Sequence, residues 1–140
     1  MFVEFFNQNI WLFVAFIVVF NLLILSIFQG RVKGANTISA LEMPRLQRDK
    51  KSVIIDVNTS KDFELSHIPD SQNFELENLS PDNKALMKHK DSTTILVCQS
   101  GTRSTKAAKQ LISLGFTNVT ILRGGLLSWT KENLPVTSSK

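Results

Sequence analysis

An apolar run of nineteen residues near the start of the chain separates it into two parts. Residues Ile10 to Phe28 contain no charged side chain and are interrupted only by Asn21 and Ser26. As a helix, this run spans roughly 28 Å, which is close to the thickness of the hydrocarbon layer of a bilayer. The rest of the chain leaves about 100 residues for one domain, a common domain size. The sequence therefore predicts one transmembrane helix followed by one soluble domain.

A cleaved signal peptide is the alternative interpretation of this segment. Glu4 is the only charged residue before the run, so the basic region that opens a signal peptide is missing. The run is also longer than a typical signal-peptide apolar region, and Phe28-Gln29-Gly30 is a poor cleavage site. These features favour a retained anchor.

The basic residues are concentrated directly after the apolar run. Residues 1–30 carry a net charge of −1, residues 31–51 carry +4 and residues 52–140 carry +1. Because positive flanks stay on the cytoplasmic side, we expect a single-pass protein of the inner (plasma) membrane with its N-terminus outside and its domain in the cytoplasm. Anionic lipid headgroups explain the basic surplus, and no nucleic acid is expected as a partner.

The predicted organisation has five segments. They are a short extracytoplasmic N-terminus at 1–9, the transmembrane helix at 10–28, a juxtamembrane linker at 29–35, a domain at 36–136 and a polar tail at 137–140. Within the domain, runs of β-branched and apolar residues predict strands at 36–38, 53–57, 94–97 and 119–122.

Helix signals lie between these strands. Ser39 and Glu42 have the spacing of a capping box, Ser80-Pro81-Asp82 has the form of a helix start, and Gly115 follows a predicted helix at 103–114. Strands that alternate with helices predict an α/β fold with a mostly parallel sheet, flanked by helices on both faces. A ligand site is then expected at the carboxyl ends of the strands.

The only cysteine of the chain, Cys98, lies where the run Thr94–Val97 meets a predicted helix. At such a junction, the free N–H groups and the dipole of the helix favour a thiolate over a thiol. Gly101 permits a tight bend around the sulfur, and Arg103 adds a positive charge. The alternative is a small buried side chain at a strand end, as free cysteines often are. The glycine, the arginine and the strand-to-helix setting favour a reactive thiol.

The loop Cys98-Gln99-Ser100-Gly101-Thr102-Arg103-Ser104 resembles the active-site loop of the rhodanese family, which often reads Cys-x-x-Gly-x-Arg-Ser. The resemblance extends over about residues 36 to 136 and includes Ile54-Ile55-Asp56-Val57, His67-Ile68-Pro69, and Gly124-Gly125 followed by Trp129. It implies a rhodanese-like fold and a sulfurtransferase that carries sulfane sulfur as a persulfide on Cys98. The architecture further resembles the single-domain rhodaneses that one N-terminal helix tethers to the bacterial inner membrane.

The resemblance also implies the roles of the site residues. Cys98 is the catalytic nucleophile, the backbone N–H groups from Gln99 to Ser104 hold the persulfide, and Asp56 and His67 support the site. A donor such as thiosulfate or a persulfide supplies the sulfur, and a thiol or cyanide accepts it. No cofactor is implied, and two lone histidines without ligand-like spacing predict no metal site. Because the chain has one cysteine, the sulfur must pass to a second molecule, with a membrane-associated protein among the candidate acceptors.

Three positions depart from the family pattern. Asn58 replaces a common arginine, while Ser66 and Asp70 replace glycines around the His-Ile-Pro turn. The two substitutions for glycine imply backbone positions that are either free of strain or slightly distorted. Two directions are open to Arg103, which either faces the sulfur to hold an anionic donor or turns back to pair with Asp56.

Two other functions are consistent with parts of the sequence. Related phosphatases and arsenate reductases separate the cysteine and arginine by five residues, whereas four separate Cys98 from Arg103. The shorter loop suits a single sulfur atom better than a tetrahedral oxyanion. A catalytically weak, membrane-anchored interaction module is the second alternative, and a Cys98→Ser variant distinguishes it because binding would survive that change.

Overall fold

The computed structural model describes residues 1–29 and 32–139, which fall into two compact units, Met1–Arg31 and Val32–Lys140. In the first unit, helix α1 (Phe2–Gln8) is followed by helix α2 (Ile10–Gln29). The ring of Phe6 packs on that of Phe13 with 4.7 Å between their centroids. Helix α1 was not predicted.

Helix α2 contains the predicted apolar run. Every side chain from Ile10 to Phe28 is exposed, and by length and composition the segment fits either a membrane span or a signal sequence. The side chain of Asn21 donates from Nδ2 to the Ile17 carbonyl at 2.8 Å, within its own helix.

The second unit is built on one parallel sheet. Its five strands are β1 (Ala35–Ile38), β2 (Ser52–Asp56), β3 (Gln72–Asn73), β4 (Thr93–Val97) and β5 (Val119–Leu122), in the order β1-β5-β4-β2-β3. All four pairings are parallel, so the predicted α/β fold is confirmed. Strand β3 was not predicted because two residues carry no recognisable period.

Helices cover both faces of the sheet. They are α3 (Met43–Gln47), α4 (Ser60–Leu65), α5 (Lys84–Met87), α6 (Thr102–Ser113) and α7 (Gly125–Lys131), with one 3₁₀ turn at Leu76–Asn78. Successive strand residues point to opposite faces. On one face, Ile55 and Leu96 therefore pack with Leu111 of α6. On the other face, Ile54, Ile95 and Val97 form a second core with residues of α3 and α7, namely Met43, Leu126 and Trp129.

The helix start predicted at Ser80 is wrong. Ser80 begins a turn closed by a hydrogen bond from the Asn83 N–H to the Ser80 carbonyl at 3.2 Å, and α5 begins only at Lys84. Proline is favoured at the second position of such a turn, which Pro81 occupies. Asn83 then caps α5, since its side chain accepts the Leu86 N–H at 3.2 Å.

The start of α3 is also displaced from the predicted one. The Ser39 N–H and hydroxyl both donate to the Glu42 carboxylate, at 2.9 and 3.0 Å, but these residues form a turn and α3 begins at Met43. Pro44 lies in the first turn of α3, where a helix needs no N–H donor. The proline therefore sets where the helix begins.

The ends of the second unit pack against its core. Gly30 and Arg31 of the predicted linker and Lys140 of the predicted tail lie outside the described residues. Val32 belongs to the core cluster on the α6 face. Thr137 exchanges two backbone hydrogen bonds with His67, at 2.8 and 2.9 Å. The packed structure thus extends on both sides of residues 36–136.

Candidate active site

The sulfur of Cys98 lies at the end of β4, beneath the first turn of α6. The Gly101 N–H donates to Sγ at 2.9 Å and the Ser104 N–H donates at 3.4 Å. Gly101 has a φ of +100°, so the loop turns back on the sulfur at a backbone conformation that favours glycine. Cys98 is only 1% exposed. Two backbone donors at a helix N-terminus are an arrangement that stabilises an anion on this atom.

Helix α7 holds the loop backbone from one side. The Leu126 N–H donates to the Cys98 carbonyl at 2.9 Å, and the Leu127 N–H donates to the Gln99 carbonyl at 3.2 Å. A Cβ on Gly125 would overlap the Cys98 carbonyl oxygen and would lie 2.8 Å from the Gln99 carbonyl carbon. Gly125 therefore permits the close approach of α7 to the loop.

Asn58 holds the loop from the other side. It is fully buried after the end of β2, and its Oδ1 accepts the Gln99 N–H at 3.1 Å. This N–H, which we expected to face the persulfide, is thus directed to Asn58. Sequence reasoning did not include Asn58 in the site. Asn58 precedes Gln99 by 41 positions, and no local sequence pattern indicates that the two residues are in contact.

Asp56 lies at the carboxyl end of β2, fully buried, and its Oδ1 accepts the Asn58 N–H at 2.9 Å. Burial raises the pKa of Asp56 to about 6, although hydrogen bonds from Asn58 and the nearby His67 partly oppose this shift. Oδ2 has no hydrogen-bond partner among the described residues. Asp56 is thus linked to the loop through Asn58, which bonds both Asp56 and Gln99.

Arg103 makes an ion pair in the structure, but not the expected one with Asp56. Its guanidinium lies 3.9 Å from the carboxylate of Asp62 on α4, and both side chains are about half exposed. Arg103 therefore does not pair with Asp56. The reason is topological, since Arg103 lies on the first turn of α6 with its side chain at the surface, whereas Asp56 is enclosed at the strand end.

The other predicted loop side chains differ in exposure. Gln99, Ser100 and Thr102 are exposed, whereas Ser104 is buried and its hydroxyl has no partner among the described residues.

The side chain of His67 makes its contacts with Phe63. Its Nδ1–H donates to the Phe63 carbonyl at 2.7 Å, and its ring stacks on Phe63 with 3.8 Å between centroids.

Comparison with known proteins identifies the family. Residues 39–132, about two thirds of the chain, match the family model described as "Rhodanese-like domain". The chain belongs to the rhodanese-like family. The resemblance found in the sequence is thereby confirmed, and with it the general assignment to a family of sulfurtransferases.

Relatives of this rhodanese-like chain include proteins with and without a stated activity. It is 29% identical to the uncharacterized protein YibN of Escherichia coli (strain K12), over 98% of this chain and 96% of that protein. It is 34% identical to the uncharacterized protein slr1261 of Synechocystis over 74% of this chain, and the match spans 57% of that relative's length. It is 32% identical to the thiosulfate sulfurtransferase GlpE of Pseudomonas savastanoi, over 63% of this chain and 81% of that protein.

Solved structures show the same fold. The crystal structure of a rhodanese-related protein from Thermoplasma volcanium matches with a TM-score of 0.62 at 26% identity. The match covers 73% of this chain and 97% of that one.

The rhodanese-like domain accommodates its two glycine replacements differently. Ser66 has a φ of −163°, an extended conformation open to any residue, so this position is free of strain. Asp70 has a φ of +67°, in the left-handed region that favours glycine. Only Asp70 therefore occupies the backbone conformation for which a glycine would be preferred.

Proposed function

We propose that this protein is a sulfurtransferase that carries sulfane sulfur as a persulfide on Cys98 and passes it to a thiol acceptor. The observation that supports this most directly is the convergence of the Gly101 and Ser104 N–H groups on Sγ, at 2.9 and 3.4 Å. Fixed donors of this kind stabilise a thiolate and the anionic persulfide that replaces it, and they require no general base.

The proposed reaction consists of two substitutions at sulfur. In the first, the Cys98 thiolate attacks the outer sulfur of thiosulfate, a new S–S bond forms, the S–S bond of the donor breaks, and sulfite leaves with the electron pair. A persulfide donor reacts in the same way and leaves as a thiolate. In the second, an acceptor thiolate or cyanide attacks the outer sulfur and Cys98 leaves as its thiolate. The two steps balance without an added oxidant or reductant.

Helix α2 is proposed to tether the domain to the inner membrane, with the N-terminus outside and the domain in the cytoplasm. The exposed apolar surface from Ile10 to Phe28 supports this, as do the basic residues that follow it. The proposed segments are an extracytoplasmic stretch at 1–9, a span at 10–28 and a cytoplasmic linker, domain and tail from residue 29 onward. A tethered carrier with one cysteine suits a membrane-associated donor or acceptor.

The test is an intact-mass measurement on the full chain in detergent, after incubation with thiosulfate and separately with a low-molecular-weight persulfide. We expect a gain of about 32 Da on the parent that cyanide removes, and no gain on Cys98→Ser, because the thiolate is the nucleophile. A folded parent that gains no mass with either donor would contradict the proposal. It would favour the tethered interaction module, whose binding Cys98→Ser should leave intact.

A further inference from the structure

Among the described residues, two side chains from outside the loop and α7 bond to the loop backbone. One is local, since Thr105 Oγ1 donates to the Gly101 carbonyl at 2.9 Å, and the other, Asn58, comes from a distant part of the chain. Its Oδ1 accepts the Gln99 N–H at 3.1 Å, and the side chain is fully buried. Only an acceptor serves at this position. An arginine carries donors alone and would leave the Gln99 N–H without a partner, so the contact depends on the amide oxygen of asparagine.

Asn58 is itself fixed by a buried polar network. Its N–H donates to Asp56 Oδ1 at 2.9 Å, and its carbonyl accepts from Asn73 Nδ2 at 2.9 Å. The same Asn73 amide donates to the Asp56 carbonyl at 3.0 Å. Strand β3 therefore anchors the chain on both sides of Val57, and the position of the Asn58 acceptor is set by the sheet.

The loop is consequently held from opposite directions. Asn58 accepts the N–H of Gln99, while the first turn of α7 donates to the carbonyls of Cys98 and Gln99. These three bonds fix the two peptide groups that follow the sulfur. The next turn of the chain then presents the Gly101 N–H to Sγ.

We infer that Asn58 is a positioning residue for sulfur transfer. By accepting the Gln99 N–H, it orients the loop so that the Gly101 and Ser104 N–H groups converge on Cys98. The consequence for rate rests on the function proposed above, whereas the consequence for loop geometry does not.

The test compares three kinds of variant in the full chain. Asn58→Ala removes the acceptor, and Asn58→Leu removes it while filling a similar volume. Asn83→Ala is the matched control, because it removes an asparagine Oδ1 that accepts one backbone N–H at 3.2 Å outside the site. The double variant D56N/N58D exchanges the carboxylate and the amide, so both acceptors and the net charge are kept.

Two readouts separate positioning from a merely structural role. The first is hydrogen exchange of the Gln99 amide, and the second is the rate of persulfide formation per folded molecule. We expect Asn58→Ala and Asn58→Leu to speed the exchange about tenfold and to slow loading about tenfold with thiosulfate and with a persulfide alike, the scale of one buried hydrogen bond. Asn83→Ala should change neither, and D56N/N58D should restore both.

The inference is overturned if a folded Asn58 variant shows faster Gln99 exchange but loads at the parental rate, or if D56N/N58D folds and loads as slowly as Asn58→Ala. If the parent itself takes up no sulfur, the proposed function fails. The positioning of the loop is then judged by Gln99 exchange and by the alkylation rate of Cys98 with iodoacetamide. Parental values of both in Asn58→Leu would overturn it.

Discussion

Gly125→Ala should damage the site although it replaces no residue of the loop. Gly125 is the first residue of α7 and has a φ of +59°. A methyl group there would overlap the Cys98 carbonyl oxygen and would lie 2.8 Å from the Gln99 carbonyl carbon. Both neighbours are backbone atoms that cannot rotate away, so the loop and α7 must separate.

The expected loss of stability has two parts. A side chain in the left-handed region costs about 1–2 kcal/mol, and overpacking against fixed backbone costs about 1–3 kcal/mol more. The free energy of unfolding should therefore fall by about 2–5 kcal/mol. Moving the loop also disturbs the donors to Sγ, so persulfide formation should slow by a factor of at least about ten, since small misplacements carry large rate penalties.

Gly124→Ala is the matched control. Gly124 has a φ of +73°, and a methyl group there would overlap Ser128 Oγ, which can rotate, and would lie 2.9 Å from Ser128 Cβ, which rotation does not move. Its three nearest atoms all belong to Ser128, so it meets α7 itself and not the loop. Gly124→Ala should lose about 2–5 kcal/mol from the same two causes and yet retain the parental loading rate, because the loop is not displaced. Unfolding in urea, followed by the fluorescence of buried Trp129, measures the first quantity, and intact mass against time measures the second. Equal loading rates in the two variants would refute the argument that α7 shapes the loop.

Other predictions follow from the charges and the loop size. Because burial raises the pKa of Asp56 to about 6, the folded protein keeps a proton that the unfolded chain has lost. This contribution to stability is present below pH about 4 and disappears as the pH rises through about 6, an effect of about 2–3 kcal/mol. Urea titrations at several pH values should show it in the parent and not in Asp56→Asn. Asp62→Asn breaks a half-exposed ion pair, so it should change the free energy of unfolding by less than about 1 kcal/mol. It should also lower the KM for thiosulfate at low salt only, because it frees Arg103. Turnover of an aryl phosphate should be undetectable beside sulfur transfer, and measurable turnover that depends on Cys98 would contradict the four-residue loop argument. Alkaline carbonate should leave the full chain in the membrane pellet and release a variant that lacks residues 1–29, whereas release of the full chain would exclude the tether.

Much of the fold was predictable because strands that are buried on both faces of the sheet consist of consecutive apolar residues. Strands β2, β4 and β5 were predicted to within two residues for this reason. Gly115 was predicted to end α6, and its φ of +94° shows the left-handed conformation expected there. Strand β3 and the start of α5 were not predictable in this way. Strand β3 is too short to show a period. At the start of α5, Ser80 and Asn83 are both suitable helix caps, and the sequence does not decide between them.

The loop motif predicted that backbone donors surround the Cys98 sulfur, since this follows from a strand-to-helix junction, and the Gly101 and Ser104 N–H groups confirm it. It did not predict what holds the loop in shape. Asn58 precedes Cys98 by forty positions and α7 follows it by more than twenty-five, and neither contact has a local signature. The direction of Arg103 was undetermined for the same reason, because Asp62 reaches it from α4.

The order of the sheet explains why those distant contacts meet at one place. Strand β4 lies between β2 and β5, so the chain that leaves β2 and the chain that leaves β5 emerge on either side of Cys98. One supplies the acceptor of Asn58 and the other supplies the N–H donors of α7. A loop with the right residues but without either neighbour would keep its cysteine and lose the fixed direction of its N–H groups. The capacity for sulfur transfer that we propose therefore depends on β2 and β5 as much as on the loop, and substitutions at Asn58 or Gly125 test it as directly as substitutions within residues 98–104.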